Sequence, residues 1–177
     1  LARLGRLDAA ESSYRRALNL RPSFHEVQNN LGTVLAEAGR FEDAIECYCA
    51  ALQIEPDFVQ GHVNLGNALS QLGQSGRALN SYRKALSIDP KSVKALYNMG
   101  NTLKELGPLD AALASYRRAL ALQPDFPEVL TNVLFTLNYR KDASPSSSLL
   151  EAKAYGAMVN RHAREYSDWN VHPKAER

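Results

Sequence analysis

The stretch Asn64-Leu65-Gly66-Asn67-Ala68-Leu69, continued by Gly73, Ala78, Tyr82, Ala85-Leu86 and Pro90, decides the fold, because it recurs at a fixed step on either side. Asn98-Met99-Gly100-Asn101 and Gly107 stand 34 residues later, and Asn30-Leu31-Gly32-Thr33 and Gly39 stand 34 residues earlier. Proline keeps the same step at Pro22, Pro56, Pro90 and Pro124, glycine at Gly5, Gly39, Gly73 and Gly107, and tyrosine at Tyr14, Tyr48, Tyr82 and Tyr116. Independent columns in one phase at this period are the signature of a solenoid of helix–turn–helix units. Each unit is too small to bury its apolar face alone and does so against its neighbours.

Every column has a physical task. In the unit 25–58 the first helix is predicted from His25 to Ala38, with Val27, Leu31, Val34 and Leu35 at helical spacing. Gly32, Gly66 and Gly100 fall inside first helices, where glycine costs roughly 1 kcal/mol against alanine. A small residue there lets a partner helix come close. Gly39 is placed to end the helix in the left-handed conformation, as are Gly5, Gly73 and Gly107. The second helix is predicted from Phe41 to Ile54, burying Phe41, Ala44, Ile45, Tyr48, Ala51 and Leu52, and Pro56 stops it. The fold class is all-α.

These residues carry a specific resemblance to the tetratricopeptide repeat. The motif reads Asn30-Leu31-Gly32, Leu35, Gly39, Ala44, Tyr48, Ala51 and Pro56 in one copy, and Asn98-Met99-Gly100, Leu103, Gly107, Ala112, Tyr116, Ala119 and Pro124 in another. The resemblance implies a right-handed superhelical solenoid. Residues 1–24 match the back of a unit, 25–58, 59–92 and 93–126 are whole units, and 127–139 supply one more first helix. In that last helix Leu134 replaces the small residue, and Phe135 stands where the other copies have Thr33, Asn67 and Asn101. The substitutions suggest that it docks something other than a standard partner helix. Residues 140–148 have loop chemistry, and Ser148 with Glu151 makes a capping box for an amphipathic extra helix over 149–166. Residues 167–177 read as an extended tail with Trp169 as its anchor. The start at Leu1, without Met, and the apolar Leu1 and Leu4 lead us to expect further repeats upstream in a longer protein.

Composition removes several function classes. Twenty-one basic residues against 19 acidic ones leave a formal charge of +2, too balanced for a polyanion binder, so no nucleic acid is expected as partner. No apolar run is long enough to span a bilayer, so no membrane partner is expected, and the reading places the chain in the cytoplasm. Cys47 and Cys49 lie two apart on a helix, on divergent sides, and cannot bridge or share a metal. His25, His62, His162 and His172 belong to no metal motif, and neither a phosphate-binding glycine loop nor a Gly-x-Ser-x-Gly elbow is present. Arg15-Arg16, Arg83-Lys84 and Arg117-Arg118 read as a solvated outer face. We expect no catalytic residue, metal or cofactor in these residues.

Asparagine is the feature that helix formation does not explain. Asn30, Asn64, Asn98 and Asn132 recur in phase, Asn67 and Asn101 add a second position one turn on, and Glu37, Gln71 and Glu105 extend the stripe. Asparagine is a mediocre helix former, since its side chain competes for backbone hydrogen bonds. An amide offers donors and an acceptor and can grip a peptide N–H and C=O together. Two readings follow. Either the six asparagines form a peptide-binding ladder along the concave groove, or the amides satisfy groups between repeats and face water.

A second resemblance covers residues 93–177. Asn98-Met99-Gly100-Asn101-Thr102-Leu103-Lys104-Glu105, the run Leu122 to Glu128, and Asn132 to Tyr139 followed by a Ser/Pro loop and Arg161-His162-Ala163 are similar to the junction of O-GlcNAc transferases of the bacterial, SPINDLY-like type. The resemblance implies a parent that transfers a sugar from UDP-GlcNAc or a related donor to Ser/Thr hydroxyls, with the repeats recruiting polypeptide substrates. Lys153 stands where that family often has a histidine, against any catalytic role for this helix. Two other readings remain. One is a free-standing adaptor resembling a co-chaperone, disfavoured because its carboxylate-clamp positions hold Asn29, Val63, Tyr97 and the ladder asparagines, with only Lys94 and Lys104 cationic nearby. The other is a scaffold that self-associates through its outer surfaces.

Overall fold

The computed structural model describes residues 2–139, together with residues 149, 150, 152, 153, 156 and 157. Among the described residues the helices are α1 (Ala2–Leu20), α2 (His25–Glu37), α3 (Phe41–Ile54), α4 (Val59–Gln71), α5 (Ser75–Ile88), α6 (Val93–Leu106), α7 (Leu109–Leu122) and α8 (Pro127–Asn138), and there is no strand. Residues 149, 150, 152, 153, 156 and 157 are helical, with Leu149 and Leu150 exposed. The loop 140–148, most of the 149–166 helix with His162, and the tail with Trp169 and His172 lie outside the described residues, as do the side chains of Leu1 and Leu4.

Consecutive helices pack as antiparallel neighbours along the whole chain. Beyond that, α2 touches α4, α4 touches α6 and α6 touches α8, whereas α3, α5 and α7 do not touch one another. Four first helices crowding together in sequence while their partners splay apart is what curvature means here. The even-numbered helices line the inner, concave side and the odd-numbered ones the outer side. The basic pairs Arg15-Arg16, Arg83-Lys84 and Arg117-Arg118 are exposed on that outer layer. Cys47 and Cys49 are free and half-buried, and burial pushes the Cys47 thiol above its ordinary value.

The core runs between the layers, from Leu31 and Leu35 through Leu69, Leu96 and Leu113 to Val133 and Leu137. In α3 the alanines and tyrosine of the motif (Ala44, Tyr48, Ala51) are buried, while Phe41, Ile45 and Leu52 are half-buried at the edges. The helical glycines are the points of closest approach. A Cβ on Gly32 would lie 2.7 Å from Cε1 of Tyr48, and one on Gly100 would lie 2.5 Å from Cε1 of Tyr116. Gly66 meets the ring of Tyr82 in the same way. The tyrosine of each second helix therefore lies flat on the backbone of its own first helix, which only glycine permits.

Gly39, Gly73 and Gly107 have φ of 80°, 70° and 103° and terminate α2, α4 and α6 in the left-handed region. After α2, Arg40 N–H donates to the Leu35 carbonyl at 2.9 Å and Gly39 N–H to Ala36 at 3.0 Å, the Schellman pattern. Gln74 and Gly73 repeat it after α4. Pro108 has no N–H to give, so the third turn keeps only the bonds from Gly107 to Leu103 and Lys104. Gly5 differs from the expected terminator. It lies inside α1, which runs unbroken through it because no first helix packs ahead of it among the described residues.

Inter-repeat contacts among the described residues include ion pairs, Lys84 with Asp57 at 3.6 Å and a tighter one at the first hand-over. Arg40 donates to both carboxylate oxygens of Glu11 on α1, at 3.0 and 3.1 Å, and Arg15 pairs with Glu11 at 2.6 Å. Glu11 occupies the position of Ile45, Leu79 and Leu113 in later units, so an ion pair replaces an apolar contact at this first hand-over.

Two outcomes test this packing. Gly66→Ala places a methyl group against the Tyr82 ring. Its overpacking cost of about 1–3 kcal/mol outweighs a helix-propensity gain of about 1 kcal/mol, so the urea midpoint falls with the slope unchanged. Burial also holds the phenols of Tyr48, Tyr82 and Tyr116 above their ordinary value of 10.0. They stay protonated in the folded chain where the unfolded chain ionises. The stability linked to them is therefore whole below pH 10 and is lost as pH rises beyond it. Far-ultraviolet circular dichroism across that range should show alkaline unfolding, shallower for Tyr82→Phe.

Candidate functional site

The six asparagines stand on the inner helices: Asn30 on α2, Asn64 and Asn67 on α4, Asn98 and Asn101 on α6, Asn132 on α8. The structure joins most of them directly. Asn98 Nδ2 donates to Asn67 Oδ1 at 2.7 Å, and Asn132 Nδ2 donates to Asn101 Oδ1 at 3.0 Å. Each bond spans two repeats, from one inner helix to the one before it. The same oxygens accept a second bond from the outer layer, Tyr82 Oη to Asn67 at 2.9 Å and Tyr116 Oη to Asn101 at 2.7 Å. Tyrosine rings that lie on Gly66 and Gly100 thus reach through to the amides on the inner side.

The first rung departs from this because position 33 is threonine. Tyr48 Oη reaches Thr33 Oγ1 at 3.5 Å, and Asn64 Nδ2 turns to Asn29 Oδ1 at 2.9 Å. Asn29 is buried at 5% exposure and passes a long 3.5 Å bond to Asn30 Oδ1. Asn30 is exposed and, among the described residues, accepts only from Asn29. Gln60 Nε2 donates to Asn64 Oδ1 at 2.7 Å. The asparagines therefore fall into three separate clusters among the described residues: Asn29 with Asn64 and, at its edge, Asn30; Asn67 with Asn98; and Asn101 with Asn132.

Consequences for the chemistry are definite. An amide oxygen has two lone pairs. On Asn67 and Asn101 both are occupied, by a phenol and by the next asparagine, so neither residue can grip a peptide N–H and C=O together. Their Nδ2 groups have no partner among the described residues, and both residues line an open, polar cleft of about 190 Å³ between α4 and α6. Gln71, Asn98 and Glu105 line it too, with the hydroxyls of Ser70 and Thr102 within 3.5 Å of each other. The surface so formed donates from Asn67 and Asn101, accepts at Asn98 Oδ1, and carries one carboxylate, Glu105.

Sequence reasoning missed the tyrosine hydroxyls and Asn29 as partners. The signal was present, since Tyr82 and Tyr116 stand 15 residues after Asn67 and Asn101, and Tyr48 stands 15 after Thr33. Clamp positions Asn29 and Val63 are buried, at 5% and 2% exposure, and Tyr97 packs against Phe126 with ring centroids 5.2 Å apart. No group of His, Cys, Asp and Glu able to hold a metal occurs among the described residues. No helix among them is long and apolar enough to cross a membrane.

Comparison with known proteins agrees with this architecture. Family models described as TPR repeat match residues 34–73 and 66–107, and models described as tetratricopeptide repeat match 93–126 and 1–24, more than half of the chain in all. No match is found among curated proteins. Solved structures share the fold at low identity. MamA is 18% identical, with a TM-score of 0.78 and 92% of each chain covered. MamA 41-end from Desulfovibrio magneticus RS-1 is 18% identical, with a TM-score of 0.78 over 90% of this chain and 89% of that one. YrrB, described as a TPR protein with an unusual peptide-binding site, is 22% identical, with a TM-score of 0.69 over 93% and 87%. Repeat period, helix pairing and family models converge, and the chain belongs to the tetratricopeptide-repeat family.

Proposed function

We propose that this chain is a protein-interaction module that binds an extended polypeptide along the asparagine stripe, and that in a longer protein it recruits substrates to an O-GlcNAc transferase-like glycosyltransferase. One observation carries the first half. Asn67 and Asn101 have their oxygens committed within the fold, have no partner on Nδ2 among the described residues, and line the inner cleft. Donors fixed in a row suit the carbonyl oxygens of an extended backbone, whatever its side chains. A repeat solenoid supplies such a surface by construction, since each unit adds one rung.

The second half rests on the resemblance of residues 93–177 to the junction of that enzyme family. The chemistry would then belong to a region outside these residues, and so would the nucleotide-sugar site. A free-standing adaptor that clamps a carboxylate is less well supported, because Asn29, Val63 and Tyr97 are packed rather than presented. Self-association through the outer surfaces has no observation in its favour.

Asparagine-to-aspartate exchange separates binding from folding. In Asn67→Asp and Asn101→Asp the carboxylate still accepts from the tyrosine and the next asparagine, but the donors are gone. A fluorescein-labelled, unstructured peptide rich in Ser, Thr and Ala should bind the double variant about tenfold or more weakly, at roughly 1 kcal/mol per lost bond, while the thermal midpoint holds. Equal affinity for both chains would sink the proposal. The substrate-recruiting half has its own test in the gene. A glycosyltransferase region encoded after Arg177 supports it, and a stop codon there removes it while leaving peptide binding standing.

A further inference from the structure

Because the array is periodic, neighbouring clefts can be compared position by position, and the last one has changed its chemistry. Moving one repeat from the cleft between α4 and α6 to that between α6 and α8 turns Ser70 into Lys104, Asn101 into Phe135 and Glu105 into Tyr139, while Thr102 persists as Thr136. The second cleft has a volume of about 320 Å³, is lined by these four residues with Gly107 and Leu109, and is mostly apolar. Phe135 and Tyr139 pack against each other, centroids 4.6 Å apart, yet remain 49% and 64% exposed. Large aromatic side chains seldom stay open to water as a pair beside a cleft without a partner.

The cation is set as deliberately as the rings. Lys104 Nζ donates to Asn132 Oδ1 at 2.9 Å and sits 5.4 Å from the centre of the Phe135 ring. An ammonium group has three donors, so two remain. Among the described residues no carboxylate pairs with Lys104. Asn132 is also the last rung, donating to Asn101. The ladder of amides therefore ends on a fixed positive charge at the mouth of an aromatic cleft.

We propose that this cleft takes a large apolar side chain of the bound polypeptide, with an acidic side chain next to it on Lys104. The module then selects segments bearing an apolar–acidic pair. The inference rests on the ladder reading above and adds specificity to it. Amide rungs hold a backbone without regard to sequence, whereas Lys104, Phe135 and Tyr139 read two adjacent side chains. Charge complementarity decides the occupant: a purely apolar partner would strand the ammonium group, and a basic one would meet like charge.

The test uses the full chain and short fluorescein-labelled peptides, amidated at the C-terminus, in a Ser/Thr/Ala background with a central Phe-Glu, Phe-Gln, Phe-Lys or Ala-Glu pair. Phe-Glu should bind about two to five times more tightly than Phe-Gln, the range of a half-exposed ion pair, and Phe-Lys least of the three. Lys104→Met, which keeps the stem, should abolish the difference between Phe-Glu and Phe-Gln. Phe135→Asn, which restores the residue of the other rungs, should abolish that between Phe-Glu and Ala-Glu. Equal binding of all four peptides, with Asn67→Asp still weakening each, overturns this inference and spares the ladder. Failure of every peptide to bind overturns both. If the wild-type chain dimerises in sedimentation and Phe135→Asn does not, the occupant is a second copy. If Lys104→Met alone shifts the melting temperature of the peptide-free chain by several degrees, the chain's own following segment fills the cleft. Either result also overturns the proposal.

Discussion

Everything on the inner surface depends on one contact, the tyrosine ring of each second helix lying on the glycine of its first helix. Gly32, Gly66 and Gly100 have no space for a Cβ, and Tyr48, Tyr82 and Tyr116 occupy the space left. A ring at that depth is buried over its apolar body, but its hydroxyl must find a partner or cost roughly 1–3 kcal/mol. Asn67 and Asn101 supply the acceptor, and Thr33 does so in the unit that has threonine at that position. The glycine, the tyrosine and the amide are thus one device. The helix-propensity cost of two poor helix formers is offset by a packed ring and a satisfied phenol.

The device also links repeats, because the oxygen that receives the phenol receives the next asparagine as well. Solenoid stability is carried by nearest-neighbour interfaces. Here a separate asparagine pair sits at each of those interfaces beside the apolar core of Leu69, Leu96, Leu113 and Leu137. At the first hand-over, where Glu11 replaces the apolar residue, the Arg40–Glu11 ion pair takes a similar part on the outer side. The two readings of the asparagines are compatible: on the proposed reading, holding repeats together and presenting donors use different atoms of the same amide.

How much of this the sequence made legible follows from what periodicity can encode. The columns at Gly39, Ala44, Tyr48 and Pro56 give helix type, pairing and turns, because each marks a local backbone requirement that recurs in phase. Gly5 sits in the column and still lies inside α1, since a terminator needs a preceding helix to terminate. The stripe of asparagines was visible, but its internal wiring was not. Nothing in Asn67 alone says that its oxygen is used twice, and the partners, Tyr82 and Asn98, lie 15 and 31 residues away. Those offsets depend on how one helix crosses another, which a period fixes only once the fold is known. Asn29 was weighed only as a clamp position, because its column holds Val63 and Tyr97 in the next two copies, and only structure shows it receiving Asn64.

Fixing the oxygens bears on recognition through entropy. A free asparagine on a helix surface rotates, and ordering it on a ligand costs part of whatever the new bond contributes. Asn67 and Asn101 are already held at the oxygen by two partners each, so the direction of Nδ2 is set before any ligand arrives. Lys104, tethered by Asn132 and seated over Phe135, has likewise given up much of the freedom of a lysine. On the proposed reading, a surface of weak individual donors gains affinity by being rigid rather than by being strongly charged. That accounts for a groove that carries only scattered charge in a chain whose formal charge is +2. On the same reading, selectivity proposed at Phe135, where the amide column stops, would complement the ladder, since each further rung would add grip without adding discrimination.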